Sequence, residues 1–590
     1  MPNHQANSLG AVVHRLRRWG AMGLEARRHI GGRPGLGDDP GIPATDHPQT
    51  TLDATIRPIG HGRYRRLGWS SGEAHLVRTE LGAVPPADRV VSRRTLLYFA
   101  HHTDGHVCDA QSPARLEGGE SFGWVNPGAD CGHRPQETCT AQVLDRLVAA
   151  TNAVAISPVT GAAMAWCIQT GDNTDNRTEA EVAWWLDILG GGKVTPNTGL
   201  EGVYEGVQRS GWRGAWHPDD PSHDVFGRRG YPRLKGFLDA AVQPFDAVGL
   251  AVPWLAVFGN HDLLFQGTFG PASGPGLHIE LLAEMLAGSG RKPVGSLGLI
   301  RSVFYARAVG GDRTRWESWS DEVGTQRVTP DPDARRAVPL DRYLGRILAA
   351  GDHGFTPAHL TDQTAWWSRP EGAAIQLIAL DSCNHTTGSE GSIGPRQAAW
   401  LEAELQRHHS RWYDAAGRWV DGDGTDRLIL LFSHHNSWTM DNLHDDEFDP
   451  GRRVDGPELV ALLRRYPNVV LWANGHSHEN KILHHPGVES GAGIWEVDTA
   501  SGIDFGQQGR TIELVDNGDR TLSFLVTVLD HASPPLVAHR QDGQWSVAEL
   551  ASMSRELAAN DDRWIDPIAL LGRPEDRNVE LVVRAPFPLR

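Results

Sequence analysis

Five apolar runs of strand length in this chain each end in a cluster of aspartate, histidine or asparagine, and any fold must account for all five together. "LLYFAHHTDGH" ends in Asp104 and His106, "AWCIQTGDNTD" in Asp172 and Asp175, and "VPWLAVFGNHD" in Asn260, His261 and Asp262. "LILLFSHHNS" ends in His434 and His435, and "VVLWANGHSH" in Asn474, His476 and His478. If the strands run parallel in one sheet, their carboxyl ends lie along a single edge, where open α/β sheets place their ligand sites. Residues remote in sequence then converge.

Each piece alone is weak. With 28 histidines in the chain, an Asp-x-His pair arises readily by chance, and Gly-Asp or Gly-Asn after a strand is ordinary turn chemistry. "GNHD" and "GHSH" carry more, because histidines that follow an apolar strand and a glycine have no evident part in a core. The conjunction of five such endings, all at strand termini, points to a shared site.

The surrounding pattern is α/β. From about Thr51 to Asp530, strand-length runs alternate with helical periodicities such as "TAQVLDRLVAATNAV" (140–154) and "PRQAAWLEAELQRHH" (395–409). "RTIELVDNGDRTLSFLVTVLDH" (510–531) predicts a β-hairpin around Asn517-Gly518-Asp519. Residues 1–50, rich in Gly, Pro and Arg, read as a mobile leader before a main domain over 51–531. Residues 265–370, Gly- and Trp-rich with weak periodicity, read as an insertion in that domain. Residues 532–590, with one helical pattern at 546–560, read as an appendage packed on it.

Composition narrows the classes. At 39% apolar and 22% charged, the 590-residue chain has an ordinary globular make-up. A net charge of −17 disfavours broad binding to nucleic acid, which needs a basic face. No segment has the length and hydropathy of a membrane span or of a signal peptide. "SRRTLLYFA" (92–100) imitates a twin-arginine export signal but sits deep in the chain and reads as a core strand, so a cytoplasmic location is expected. The five cysteines form no CxxC pair; Cys131 and Cys139 are close enough in sequence to bridge in an oxidising compartment.

Carboxylate, imidazole and amide donors without thiolates suit divalent Mn, Fe, Zn or Co. One ion needs about four to six ligands, fewer than this edge offers, whereas two ions about 3.5–4 Å apart and bridged by one carboxylate would use them. Two such ions bring about four positive charges. Asp104, Asp172 and a bridging hydroxide remove three, so the pocket stays positive and attracts a phosphate oxyanion within an acidic protein.

The ordered set "DGH", "GDNTD", "GNHD", "SHH" and "GHSH" resembles the calcineurin-like metallophosphoesterase superfamily over roughly residues 90–530, with flanking text similar to a branch of large bacterial members. The resemblance implies a four-layer αββα sandwich. It also implies that Asp104, His106, Asp172 and His478 hold one metal and that Asn260, His434, His476 and again Asp172 hold the other. The family's H-H-P motif is altered here by Asn436, which leaves His434 and His435 as alternatives. His261 takes the position of a general acid, and Asp175 that of its carboxylate partner. The expected activity is phosphoester hydrolysis by a metal-bridging hydroxide on a small substrate, with a nuclease or cyclic-nucleotide phosphodiesterase as the alternative and a non-catalytic binding scaffold as the rival from another class. The absence of a tyrosine after Asp172 argues against a purple, iron–tyrosinate centre. Asn176, where phosphoprotein phosphatases usually carry arginine, argues against phosphoprotein substrates.

Overall fold

The computed structural model describes residues 50–60, 62–122, 132–270, 279–309, 312–319, 324–561, 563 and 566–589. The leader, apart from its last residue, and Cys131 lie outside them. Two sheets organise the chain. Their strands are, in order, β1 (Leu76–Arg78), β2 (Arg94–His102), β3 (Cys167–Thr170), β4 (Trp254–Val257), β5 (Trp367–Glu371), β6 (Ile375–Ala379) and β7 (Leu428–Phe432). They continue with β8 (Val469–Asn474), β9 (Lys481–Pro486), β10 (Gly493–Asp498), β11 (Gln508–Asp516), β12 (Thr521–Asp530) and β13 (Val579–Arg584).

The seven-stranded sheet has the order β1-β13-β12-β11-β2-β3-β4, and the six-stranded sheet the order β5-β6-β7-β8-β10-β9. The five motif strands are therefore divided. β2, β3 and β4 are parallel neighbours in the first sheet (Ala100 opposite Cys167, Cys167 opposite Trp254), and β7 and β8 are parallel neighbours in the second. Convergence comes from stacking of the sheets and not from membership of one.

The alternation of side chains along each strand makes that stacking possible. Leu97, Phe99, Ile168 and Leu255 of the first sheet join Leu377, Leu430, Phe432 and Ala473 of the second in one apolar cluster. Phe432 meets both Phe99 and Trp166 edge-on at 6.0 Å between ring centres. The next residues along, Ile378, Ile429 and Leu431, turn the other way and pack with Leu401 and Leu405 of helix Pro395–Arg407 and Leu459 and Leu463 of helix Gly456–Leu463. Helix Thr140–Ala153 covers the first sheet near β12. Among the described residues no helix is long and apolar enough to cross a membrane.

The hairpin forms between β11 and β12, with Gly518 at φ 76°, a backbone state that glycine adopts without steric cost. Two segments depart from expectation. The C-terminal residues do more than pack on the main domain, because β13 inserts between β12 and β1 and so belongs to the sheet. The described part of 265–370 is largely helical, and Tyr343, Leu344 and Ile347 of helix Leu340–Ala350 enter the main core. Their spacing of three and four is obscured by the polar residues of the same helix.

Glu580 pins β13. Its carboxylate accepts hydrogen bonds from Arg89 (2.8 Å to both Nε and Nη2), Arg93 and Ser523 Oγ (2.7 Å). Burial pushes this carboxyl up, but the bonds from Arg89, Arg93 and Ser523 override it and hold it at about 2. A depressed carboxylate stabilises the fold above its ordinary range and loses that contribution as pH falls toward 2. Glu580→Gln should cost about 1–2 kcal/mol at pH 7 after allowance for screening. In urea unfolding the gap from wild type should narrow steadily as pH falls from 5 toward 2; a gap that stays constant would mean that shape and not charge is responsible.

Candidate metal centre

The segments that follow the motif strands keep pairing after the strands end. The Asp104 N–H donates to the Gly171 carbonyl (3.0 Å), His106 N–H to Asp172 (2.9 Å) and Val107 N–H to Asn173 (3.1 Å). To do so the chain turns through left-handed backbone at Asp104 (φ 51°), His106 (41°) and Asp172 (48°), and likewise at His476 (72°) and His478 (60°). Such angles are uncommon outside glycine and persist only where the surroundings over-determine them. Ten non-glycine residues have positive φ among the described residues, and half of them are these five candidates.

Two motif glycines allow the segments to touch. A Cβ on Gly259 would lie 2.2 Å from the Asp172 nitrogen and Oδ1, and one on Gly475 would lie 2.0 Å from Thr103 Oγ1 and 2.4 Å from Asp104 Oδ2. The second contact joins the sheets, since His476 N–H donates to Asp104 Oδ2 (2.9 Å).

The side chains form two groups that share Asp172. In one, His478 Nε2 is 3.2 Å from Asp104 Oδ1, while His106 Nε2 is 3.9 Å from that atom and 3.6 Å from Asp172 Oδ2. In the other, His434 Nε2 lies 3.2 Å from Asp172 Oδ2, 3.0 Å from Asn260 Oδ1 and 3.3 Å from His476 Nδ1. All seven sequence candidates for metal ligation are thus brought together.

Four of the donors are aimed by a bond on the far side, which fixes the tautomer of an imidazole. His434 Nδ1 donates to the Thr170 carbonyl (2.9 Å), and His478 Nδ1 meets Asp504 Oδ2 (2.6 Å). His106 Nδ1 meets Asp175 Oδ1 (3.3 Å), and Asn260 Nδ2 donates to the Gly267 carbonyl (2.9 Å), leaving its Oδ1 inward. The choice between His434 and His435 follows. His435 uses Nδ1 on Ser382 Oγ (2.8 Å) and Nε2 on the Ser389 carbonyl (2.9 Å), so it has no lone pair left for a metal.

Whether the residues suit a cation is answered by their unsatisfied atoms. Among the described residues, His106 Nε2 is buried without a hydrogen-bond partner and Asp104 Oδ1 is buried with only the His478 imidazole near it, an arrangement that is costly unless positive charge sits among them. Asp104 and Asp172 are 0% and 1% exposed. Burial pushes the His434 and His478 imidazolium ions down, but Asp172 and Asp104 beside the first raise it to about 9, and Asp104 with Asp504 beside the second raise it to about 10. Burial raises the Asp172 carboxyl, and His434, His261 and His106 outweigh that and hold it well below its ordinary value. The pocket calls for positive charge, and its donor set fits divalent ions.

His261 lies against this group. Its N–H donates to Asp172 Oδ1 (2.8 Å), and its ring centre is 4.5 Å from that of His106. Asp175 holds it differently from expectation, through the main-chain carbonyl at 2.6 Å from Nδ1. The Asp175 carboxylate is drawn instead to His106 and to the buried Arg115, whose Nε donates to Oδ2 at 2.8 Å.

Other motif residues serve as braces. Asp262 accepts from the N–H groups of Gly259 (3.0 Å), Asn173 (3.2 Å) and Thr174 (3.0 Å) and from the Tyr343 hydroxyl (3.1 Å). It locks the "GNHD" turn to the "GDNTD" loop. Glu181 caps helix Glu179–Gly190 and also accepts from Asn176 N–H and Asp109 N–H (both 2.9 Å), which ties the helix to both loops that carry candidate ligands. Asn474 donates to Glu496 (2.8 Å) and stays outside the centre. Sequence reasoning missed Asp504, Arg115 and Arg134, which sit in no metal-ligand pattern and look like turn or surface residues. A cavity of about 440 Å³ lined by Arg411, Tyr413 and Trp419 opens near the amino-terminal ends of β8 and β10, and no candidate ligand lines it.

No family model matches the chain, and no curated protein does. Among solved structures it is similar to a dimetal phosphatase from Danio rerio, at 11% identity and a TM-score of 0.30, over 74% of this chain and 100% of that one. It is also similar to the purple acid phosphatase PPD1 from yellow lupin (Lupinus luteus) seeds, at 10% identity and a TM-score of 0.26, over 82% of this chain and 57% of that one. Likeness at this level carries no argument about chemistry, which rests on the residues above.

The geometry separates the two adjacent histidines. His434→Asn should remove about one of two bound ions, whereas His435→Asn should leave metal content unchanged, as read by elemental analysis of protein purified with Mn²⁺. Equal losses in both variants would contradict the orientation described.

Proposed function

We propose that the chain is a dinuclear metal-dependent phosphoester hydrolase built on a four-layer αββα sandwich, the two sheets forming the inner layers. The observation that carries this reading is the position of Asp172 Oδ2, within 3.6 Å of His106 Nε2 on one side and 3.2 Å of His434 Nε2 on the other. One carboxylate oxygen facing two imidazole groups is the arrangement a bridged pair of ions requires. Asp104, His106, Asp172 and His478 would hold one ion, and Asp172, Asn260, His434 and His476 the second. When bound, the pair would supply Lewis-acid polarisation of the phosphoryl group and an acidified water.

The chain's own residues do the rest. His261, fixed by Asp172 and by the Asp175 carbonyl, keeps Nε2 without a protein partner among the described residues. That atom is placed to give a proton to the departing ester oxygen, with Asp175 acting through its main chain. The segment immediately after "GNHD" stays beside the site: Gly267 accepts from Asn260, and Gln266 N–H donates to Asn176 Oδ1 (2.7 Å). The 265–370 segment therefore begins as one wall of the site and bears on substrate choice. Small phosphoesters fit a charge of −17 better than a polynucleotide does.

A panel of phosphomonoesters and phosphodiesters assayed with Mn²⁺, Fe²⁺, Zn²⁺ and Co²⁺ tests the reading; two bound ions with no turnover of any ester would contradict it. His261→Ala should retain both ions and lose about 10²–10⁴-fold on alkyl esters. Loss on p-nitrophenyl esters, whose leaving group needs little protonation, should be much smaller. Equal loss on both would assign His261 to phosphate binding.

A further inference from the structure

Asp504, in the loop between β10 and β11, is 1% exposed and belongs to none of the metal-ligand motifs. Its Oδ2 lies 2.6 Å from His478 Nδ1. Its Oδ1 accepts from Arg134 Nε (3.1 Å), Arg563 Nη2 (2.9 Å) and Gln136 Nε2 (3.4 Å), and its own N–H donates to Ser501 Oγ (2.9 Å). Two guanidinium groups on one buried carboxylate are compensated only while that carboxylate is ionised. An ionised carboxylate is purely an acceptor, so His478 must present Nδ1–H to it and turn Nε2 toward Asp104 Oδ1, 3.2 Å away.

We infer that Asp504, clamped by Arg134 and Arg563, is a positioning residue that holds His478 in the tautomer and orientation required of a metal ligand. The inference rests on the metallohydrolase reading. A positioning role is favoured over a purely architectural one because Oδ2 faces the imidazole at 2.6 Å while Arg134 and Arg563 hold Oδ1 on the opposite side. Arg134 Nη2 also reaches Oδ2 (3.4 Å), restraining the same oxygen that faces His478. His106 has a comparable brace in Asp175 and Arg115, whereas His434 is oriented only by a neutral carbonyl.

The test is calorimetric titration of metal-free protein with Co²⁺, comparing wild type, Asp504→Asn and Asp504→Ala, with thermal melting of the same metal-free samples. Wild type should bind two ions. Asp504→Ala should weaken one of them by about 10–100-fold and leave the other unchanged, with Asp504→Asn intermediate because its amide oxygen still accepts the Nδ1–H. In the proton NMR spectrum of the Co²⁺-loaded protein, one shifted exchangeable imidazole N–H should disappear or move in both variants. Should Asp504→Ala not fold, the Asn variant alone decides, since it keeps the shape and loses only the charge. Two ions on wild type with unchanged affinities in the variant, or a melting loss with both sites weakened alike, would overturn the inference alone. Failure of wild type to bind Co²⁺ would overturn the hydrolase reading and this inference with it.

Discussion

The structure depends on a concentration of buried negative charge at one point. Asp104 and Asp172 are buried side by side where the carboxyl edges of two sheets meet, and each ionised carboxylate removed from water carries a penalty of several kcal/mol. Imidazoles surround them with ring nitrogens turned inward, and among the described residues His106 Nε2 is left without a hydrogen-bond partner. A core of this composition is stable only around positive charge. Protons on His434 and His478 supply some of it, and divalent ions would supply more.

The backbone leads to the same conclusion. At about 1 kcal/mol each, the low end for a residue held in left-handed backbone, the five candidates with positive φ amount to about 5 kcal/mol, which is on the scale of a whole domain's stability. Gly259 and Gly475 permit approaches that any side chain would block. The cost is concentrated at one place, where the candidate ligands lie.

Much of this was legible in the chain itself. Apolar runs with polar endings located β2, β3, β4, β7 and β8 because a strand buried on both sides leaves a plain compositional trace, and the family resemblance picked from those endings the seven residues that converge, with His435 as the alternative to His434. Three things left no such trace. The division of the strands between two sheets depends on stacking, seen in the contact of Phe99 with Phe432, which no local pattern encodes. The entry of Tyr343 into the core was hidden because helix Leu340–Ala350 exposes a charged face, and the place of β13 within the sheet was hidden because a strand following a long helical stretch reads as peripheral. The braces behind the candidate ligands, Asp504 on His478 and Arg115 on Asp175, are separated by 26 and 60 residues from what they support, and carboxylates and arginines of this kind ordinarily lie at surfaces. Position marked Asp175 as the carboxylate partner of His261, whereas its carboxylate meets His106 and Arg115 and only its carbonyl meets His261.

The central claim is that one carboxylate, Asp172, joins two metal positions. Anomalous diffraction from crystals grown with Mn²⁺ tests it most directly. The account predicts two peaks about 3.5–4 Å apart on either side of Asp172, one bounded by Asp104, His106 and His478 and the other by Asn260, His434 and His476. A single peak, or peaks that leave Asp172 without a metal on one side, would contradict it.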